Sequence, residues 1–150
     1  MSGFLYHLII VRDLCPLNRI HLDTRIIGAQ NNNDRFDLVI GDVQQREDGR
    51  PAVLPEAIIE IKMFPQGFTN QEHHVHFENI LNVDLKKLGP LQNIMRVEFI
   101  YDEVNYLGGQ YNEENRRDVI VETRDHGAQG VYLVFARRVN GNWRVSVSRG

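Results

Sequence analysis

Three charged residues, Asp37, Glu60 and Lys62, lie within apolar stretches of the kind that form buried strands. Glu60 and Lys62 are two positions apart in AIIEIKMF (57–64), and successive side chains of a strand point to opposite faces. The two charges therefore share one face, and Ile59, Ile61 and Met63 occupy the other. Burying a charge costs several kcal/mol unless the charge is paired or binds a metal. The pattern therefore predicts either a structural ion pair or a site with a chemical role.

Asp37 extends this pattern to a second strand, because it begins the apolar run of RFDLVIGDV (35–43). If the two strands are neighbours, Asp37 approaches Glu60 and Lys62 at one end of the sheet. Two carboxylates supply the hard oxygen ligands that Mg²⁺ or Mn²⁺ prefers, and the lysine places a cation beside them. Such a site suits phosphodiester cleavage, which needs an activated water and stabilisation of negative charge on the phosphoryl oxygens.

The elements that must position these residues follow from periodicity and turn signals. The first segment, 4–14, is compatible with a helix or a strand and ends at Pro16. The pattern then predicts a strand hairpin (19–27 and 35–43), a polar loop (44–55) and the central strand (57–64). A helix (71–88) follows a Thr69–Glu72 capping box and leads to a further strand (95–101). The chain continues with a second helix (112–127) capped by Asn112 and a final hairpin (130–139 with a strand from 142).

This order predicts an α/β fold with a central mixed sheet flanked by helices. We expect one domain over 1–150, with its core at about 20–101 and a C-terminal helix and hairpin at 112–149. The chain has a single cysteine, Cys15, no basic region before its first apolar run, and no apolar run near the ~20 residues of a membrane span. We therefore expect an intracellular, cytoplasmic protein without a membrane partner.

Asp37 and the triplet Glu60-Ile61-Lys62, on consecutive strands, resemble the motif of the PD-(D/E)XK nuclease superfamily. The resemblance implies a restriction-endonuclease-like fold and a metal-dependent endonuclease that hydrolyses phosphodiester bonds. It also implies that Asp37, Glu60 and the backbone carbonyl of Ile61 bind Mg²⁺ or Mn²⁺, and that Lys62 orients or deprotonates the attacking water.

The chain departs from this family pattern in two places. Phe36 precedes Asp37 where members commonly carry proline, and no glutamate occurs before Glu47, although many members have one on a helix before the aspartate. Either Asp13 or His7 would stand in for that glutamate, or the site would work with fewer ligands.

Basic residues outside the motif give the expected nucleic-acid contacts: Lys86 and Lys87 at a helix end, and Arg116 and Arg117 at the start of the second helix. The expected partner is nucleic acid, with DNA favoured over RNA, and duplex cleavage favours a homodimer. The net charge of −3 does not exclude this, because metal-binding carboxylates offset a basic patch. Two alternatives remain: a non-catalytic nucleic-acid- or protein-binding domain on the same fold, and a related RNA endonuclease that uses His7.

Overall fold

The computed structural model describes residues 15–108 and 115–150. Six strands form one mixed sheet in the spatial order of the sequence: β1 (Ile20–Thr24), β2 (Phe36–Gln45), β3 (Pro51–Phe64), β4 (Met95–Asp102), β5 (Tyr132–Val139) and β6 (Asn142–Arg149). Strands β3, β4 and β5 run parallel, and the other neighbours are antiparallel. The protein is therefore an α/β fold with a mixed sheet, as the sequence predicts.

The predicted polar loop at 44–55 is wrong, because β2 and β3 extend through most of it and are joined by a short turn. The strands pair as far as Gln45 opposite Pro51. Both prolines of the segment fit a strand: Pro51 is the first strand residue, and Pro55 lies at a register shift after Ile40, where a missing N–H is tolerated. Gly41 is required at this shift, since an added Cβ would lie 2.1 Å from the backbone oxygen of Leu54.

The predicted helix after β3 is confirmed, but it is not regular. It consists of α1 (Asn70–Asn79), a π-helical turn (Ile80–Asp84) and α2 (Leu85–Leu88), which follow one another without a break. The predicted capping box is present, with the Thr69 side chain accepting from the Glu72 N–H and the Glu72 carboxylate accepting from the Thr69 N–H. The π-helical turn widens the helix locally.

The second long helix, α3, spans Arg116–Gly127 and begins after Asn115. The predicted cap, Asn112, lies outside the described residues, as do segment 4–14 and the candidates His7 and Asp13. Helices α2 and α3 approach closely at their C-terminal ends, because a Cβ on Gly89 would lie only 2.6 Å from the carbonyl oxygen of Gly127.

The helices pack on one face of the sheet and enclose one apolar core. Its central members are contributed by the strands β3, β4 and β5 and by all three helices: Ile58, Phe64, Ile100, Phe135, Phe77, Ile80, Leu85, Leu88 and Ile120. Within the described part of the chain, no helix is both long and apolar enough to cross a membrane.

Candidate functional site

Asp37 lies where the pairing of β2 with β3 ends. The last paired residues are Leu38 and Ile59, and one step further Asp37 Oδ2 accepts a hydrogen bond of 2.8 Å from the backbone N–H of Ile61. The side chain thus replaces the ladder bond that a continuing strand would make. Asp37 is thereby held beside the Glu60-Ile61-Lys62 triplet, as the sequence predicts.

Glu60 is buried and faces the helices instead of solvent. Its Oε1 lies 2.7 Å from Lys87 Nζ in α2. Lys87 also donates to the carbonyl oxygen of Arg35 at 2.8 Å, and its ammonium lies 4.8 Å from the ring centre of Phe36. Because three different contacts hold this ammonium, Lys87 is part of the site.

Lys62 pairs with an acidic residue that the sequence analysis did not select. Its Nζ lies 2.8 Å from Asp84 Oδ2, and the side chain of Asp84 is buried. Asp84 ends the π-helical turn, and Leu85, the next residue, is also buried. Asp84 is seven residues after Phe77 and four before Leu88, so helical periodicity already places it on the face that packs on the sheet.

Glu98 on β4 is the fourth carboxylate of the cluster. It is paired in register with Glu60 on the neighbouring parallel strand and is fully buried. Neither of its carboxylate oxygens has a hydrogen-bond partner among the described residues. The signal for Glu98 was present in the sequence, since it occupies the inward face of the alternating run MRVEFIY, next to the central strand.

The electrostatics of the cluster follow from burial and charge. Burial raises the pKa of Glu60 to about 8, against the opposing effect of Lys87. Burial, with the nearby Asp84 and Glu60, raises the pKa of Glu98 well above its usual range, and burial also raises the pKa of Asp84 despite the ammonium of Lys62. Burial alone lowers the pKa of Lys62, but Asp84 and the other carboxylates outweigh it, so the net pKa is raised and Lys62 is an ammonium.

The donor chemistry of this cluster fits a hard divalent cation. Four carboxylates, Asp37, Glu60, Asp84 and Glu98, face two ammoniums, Lys62 and Lys87, which leaves a deficit of positive charge when all are ionised. Within 15–108 and 115–150, no three His, Cys, Asp or Glu side chains are arranged to hold a metal ion as they stand. The two lysines engage Glu60 and Asp84, so metal binding requires at least one carboxylate to exchange its ammonium for the ion.

The predicted nucleic-acid contacts differ in their positions. Lys86 is exposed, with its Nζ 3.5 Å from the Asn82 side-chain oxygen, whereas Lys87 points into the site and is not the surface contact that we expected. Arg116 stacks its guanidinium 4.1 Å from the ring centre of Tyr106 and donates to the Tyr106 carbonyl oxygen. Arg117 lies over the ring of Phe135 at 5.1 Å. Both arginines are half-buried at the start of α3.

The two histidines of the first helical turns are tied to the backbone of the preceding loop. The ring nitrogens His73 Nε2 and His76 Nδ1 lie 3.1 and 3.0 Å from the carbonyl oxygens of Pro65 and Met63. These bonds anchor α1 to the end of β3, and therefore help to fix the helix over the carboxylate cluster.

Comparison of the sequence with protein families and with curated proteins finds no match. Among solved structures, the chain is similar to SfsA of Pyrococcus furiosus in complex with Ca²⁺, with 11% sequence identity and a TM-score of 0.34. The match covers 99% of this chain and 62% of SfsA. The chain thus spans less than two thirds of the length of that protein, and a likeness at this level carries no argument about activity.

Proposed function

We propose that the protein is a metal-dependent nuclease that hydrolyses phosphodiester bonds in nucleic acid. The observation that supports this best is the convergence of Asp37, Glu60 and Lys62 from two adjacent strands into one buried cluster. Simple salt bridges would leave the charges balanced, whereas this cluster has more carboxylates than cations. Ionising all four carboxyl groups is costly unless a further cation is bound, and burial raises the pKa of Glu60 and Glu98 accordingly.

In this proposal Asp37 and Glu60, with the backbone carbonyl of Ile61, hold Mg²⁺ or Mn²⁺. When bound, the ion supplies Lewis acidity and lowers the pKa of a coordinated water. Asp37 already accepts the Ile61 N–H, which fixes one of its oxygens and leaves the carboxylate oriented beside Glu60. In this proposal the carboxylate of Asp37 stays fixed on the sheet, and that of Glu60 exchanges the ammonium of Lys87 for the ion.

Lys62 acts as a donor in this proposal, because its raised pKa keeps the amine protonated in the metal-free protein. An ammonium has three N–H donors, and the contact to Asp84 uses one of them. The remaining donors are available to the attacking water or to a phosphoryl oxygen. Of the two roles implied by the family resemblance, orienting the water agrees better with these contacts than deprotonating it.

The substrate proposal is nucleic acid, with DNA favoured over RNA. Lys86 is the exposed cation nearest to the site along the chain, and the half-buried Arg116 and Arg117 lie on α3, which packs against the helix that bears Lys87. Parallel cleavage assays on duplex DNA, single-stranded DNA and RNA, each with Mn²⁺, test the substrate class. Cleavage of RNA alone would replace the DNA proposal with an RNA endonuclease.

Metal binding is tested separately by titrating Mn²⁺ into the wild-type protein and into Asp37→Asn and following the thermal transition. Binding to the folded state alone raises the midpoint as the ion concentration increases. We expect a rise in the wild-type protein that is reduced in Asp37→Asn. No response of the wild-type protein to Mg²⁺ or Mn²⁺ at millimolar concentration would contradict the metal site.

A second candidate function, a binding domain that retains the fold without catalysis, is favoured by one observation. Both lysines are paired with carboxylates, as in a purely structural ion-pair network. In that case nucleic acid or a protein partner binds without divalent ions and is not cleaved. The same metal titration separates this candidate from the nuclease.

A further inference from the structure

Of the buried charged residues on the inward face of β4, only Glu98 makes no side-chain hydrogen bond within 15–108 and 115–150. The inward face of β4 also carries Arg96 and Asp102, both buried. The Arg96 guanidinium donates to the carbonyl oxygens of Leu88, Gly89 and Gln129, at the C-terminal ends of the helices. Asp102 accepts from the backbone N–H groups of Tyr106 and Leu107 at 2.8 and 2.9 Å.

Glu98 has no such explanation in the packing of the protein. It is fully buried, and both carboxylate oxygens lack a hydrogen-bond partner within 15–108 and 115–150. Leaving a buried polar group unsatisfied costs about 1–3 kcal/mol, and more when the group is charged. An apolar residue of similar size at this position would fill the core at lower cost, so a glutamate here requires a partner that is not a side chain of the described fold.

The position of Glu98 indicates what this partner is. Its Cα is paired with that of Glu60 on the adjacent parallel strand, so the two side chains emerge side by side on the face covered by the helices. Its charged neighbours in the cluster are Asp84, Glu60, Asp37 and Lys62. The ammonium of Lys62 is already paired with Asp84, and that of Lys87 with Glu60. A hard cation is the group that binds several carboxylates at one point.

We propose that Glu98 is the third carboxylate of the metal site and takes the place of the glutamate that many PD-(D/E)XK nucleases carry on a helix before the aspartate. This inference rests on the proposed function, and deepens it by naming a ligand that the sequence motif does not contain. Asp37, Glu60 and Glu98 come from three adjacent strands, so the sheet itself places all three ligands. Lys87 must release Glu60 before these carboxylates share one ion.

The experiment compares the wild-type protein with Glu98→Gln, Glu98→Asp and the control Glu122→Gln, which removes an exposed carboxylate from α3. Binding of Mn²⁺ alone is measured by titration calorimetry, and folding by urea denaturation without metal. We expect Glu98→Gln to bind Mn²⁺ at least tenfold more weakly while its urea midpoint is equal to or above that of the wild type. Glu98→Asp, which keeps the charge, retains more of the affinity, and Glu122→Gln is unchanged.

Each other result has a defined meaning. Unchanged Mn²⁺ affinity in Glu98→Gln, with binding retained in the wild type, overturns the assignment of Glu98 and leaves the proposed function in place. A lower urea midpoint in both Glu98 variants, with unchanged affinity of the folded protein, identifies Glu98 as a structural residue and overturns the inference. Absence of Mn²⁺ binding by the wild-type protein contradicts the proposed function and this inference together.

Discussion

Glu60 offers the sharpest prediction, because a structural ion pair and a metal ligand respond to its removal with opposite signs. The substitution Glu60→Gln keeps the size of the side chain and removes its charge. A structural pair with Lys87 predicts a loss of about 3–5 kcal/mol, since one buried charge remains without its partner. A ligand in a cluster with excess negative charge predicts that the metal-free protein gains stability.

The magnitude follows from the pKa of Glu60, which burial raises from the usual 4.5 to about 8. Between these values the folded protein retains a proton that the unfolded chain has released, so the stabilising contribution is complete below pH 4.5 and is lost as the pH rises through about 8. Each tenfold change in protonation is worth about 1.4 kcal/mol. Relative to a glutamate of ordinary pKa, Glu60 therefore destabilises the folded protein by about 3 kcal/mol at pH 7 and about 4 kcal/mol at pH 8.

We expect Glu60→Gln to resemble the wild-type protein at pH 5 and to be more stable than it by about 3 kcal/mol or more at pH 8. The assay is urea denaturation of the metal-free proteins between pH 5 and pH 8. Because Glu60, Glu98 and Asp84 interact, the difference between the two curves reports the removal of Glu60 together with its effect on the titration of the other two carboxyl groups.

The control is Glu56→Gln on the same strand, which removes an exposed carboxylate paired with Arg19. Exposed pairs contribute about 0–1 kcal/mol, so this variant should show a small and pH-independent difference. If Glu60→Gln is instead destabilised by several kcal/mol at pH 8, the pair with Lys87 stabilises the fold, and the reasoning from excess negative charge is refuted.

Three further predictions test other parts of the account. Lys87→Gln should bind Mn²⁺ about tenfold more tightly or better in calorimetry, because a unit charge at about 4 Å contributes about 4 kcal/mol at an effective dielectric constant of about 20. The control is Lys86→Gln, which removes the exposed neighbouring charge. Equal Mn²⁺ affinities of the two variants would contradict competition between Lys87 and the ion for Glu60. Thr69→Ala should lower the free energy of unfolding by about 1 kcal/mol in urea by removing the capping box, and an unchanged midpoint would show that the box contributes nothing. Gly41→Ala should cost about 1–3 kcal/mol or more, measured in the same way, since its Cβ meets backbone of the opposing strand, and wild-type stability would show that the register shift relaxes freely.

Local signals in the sequence were sufficient for the elements and for the central motif. Alternation placed Glu60 and Lys62 on one face, and that face is the one covered by the helices. The capping box at Thr69 and the turn at Asn140-Gly141, where both residues have positive φ, were readable because their chemistry is local. The prediction of a loop at 44–55 was wrong because the two prolines and several charges of this segment are typical of loops. The pairing of β2 with β3, which makes the segment a strand, is a tertiary contact that local sequence does not show.

The partners of the motif residues were not predictable in the same way. Asp84 pairs with Lys62 on the buried face of the helix, and Lys87 turns inward to Glu60 and the Arg35 carbonyl oxygen, although the charged type of both residues favours solvent. Arg124 on α3 is likewise buried and donates to the carbonyl oxygens of Val131 and Ser148. In each case a tertiary contact determines the position of a residue whose type alone favours solvent.

The most direct test of the nuclease proposal is cleavage of supercoiled plasmid DNA by the wild-type protein and by Lys62→Ala, with Mg²⁺, with Mn²⁺ and with a chelator. We predict nicked or linear product from the wild-type protein only when Mg²⁺ or Mn²⁺ is present, and none from Lys62→Ala at the same concentration, although that variant still binds Mn²⁺ in calorimetry. No product from folded wild-type protein with either ion, or equal product from Lys62→Ala, would contradict the assignment of Asp37, Glu60 and Lys62 as a nuclease site.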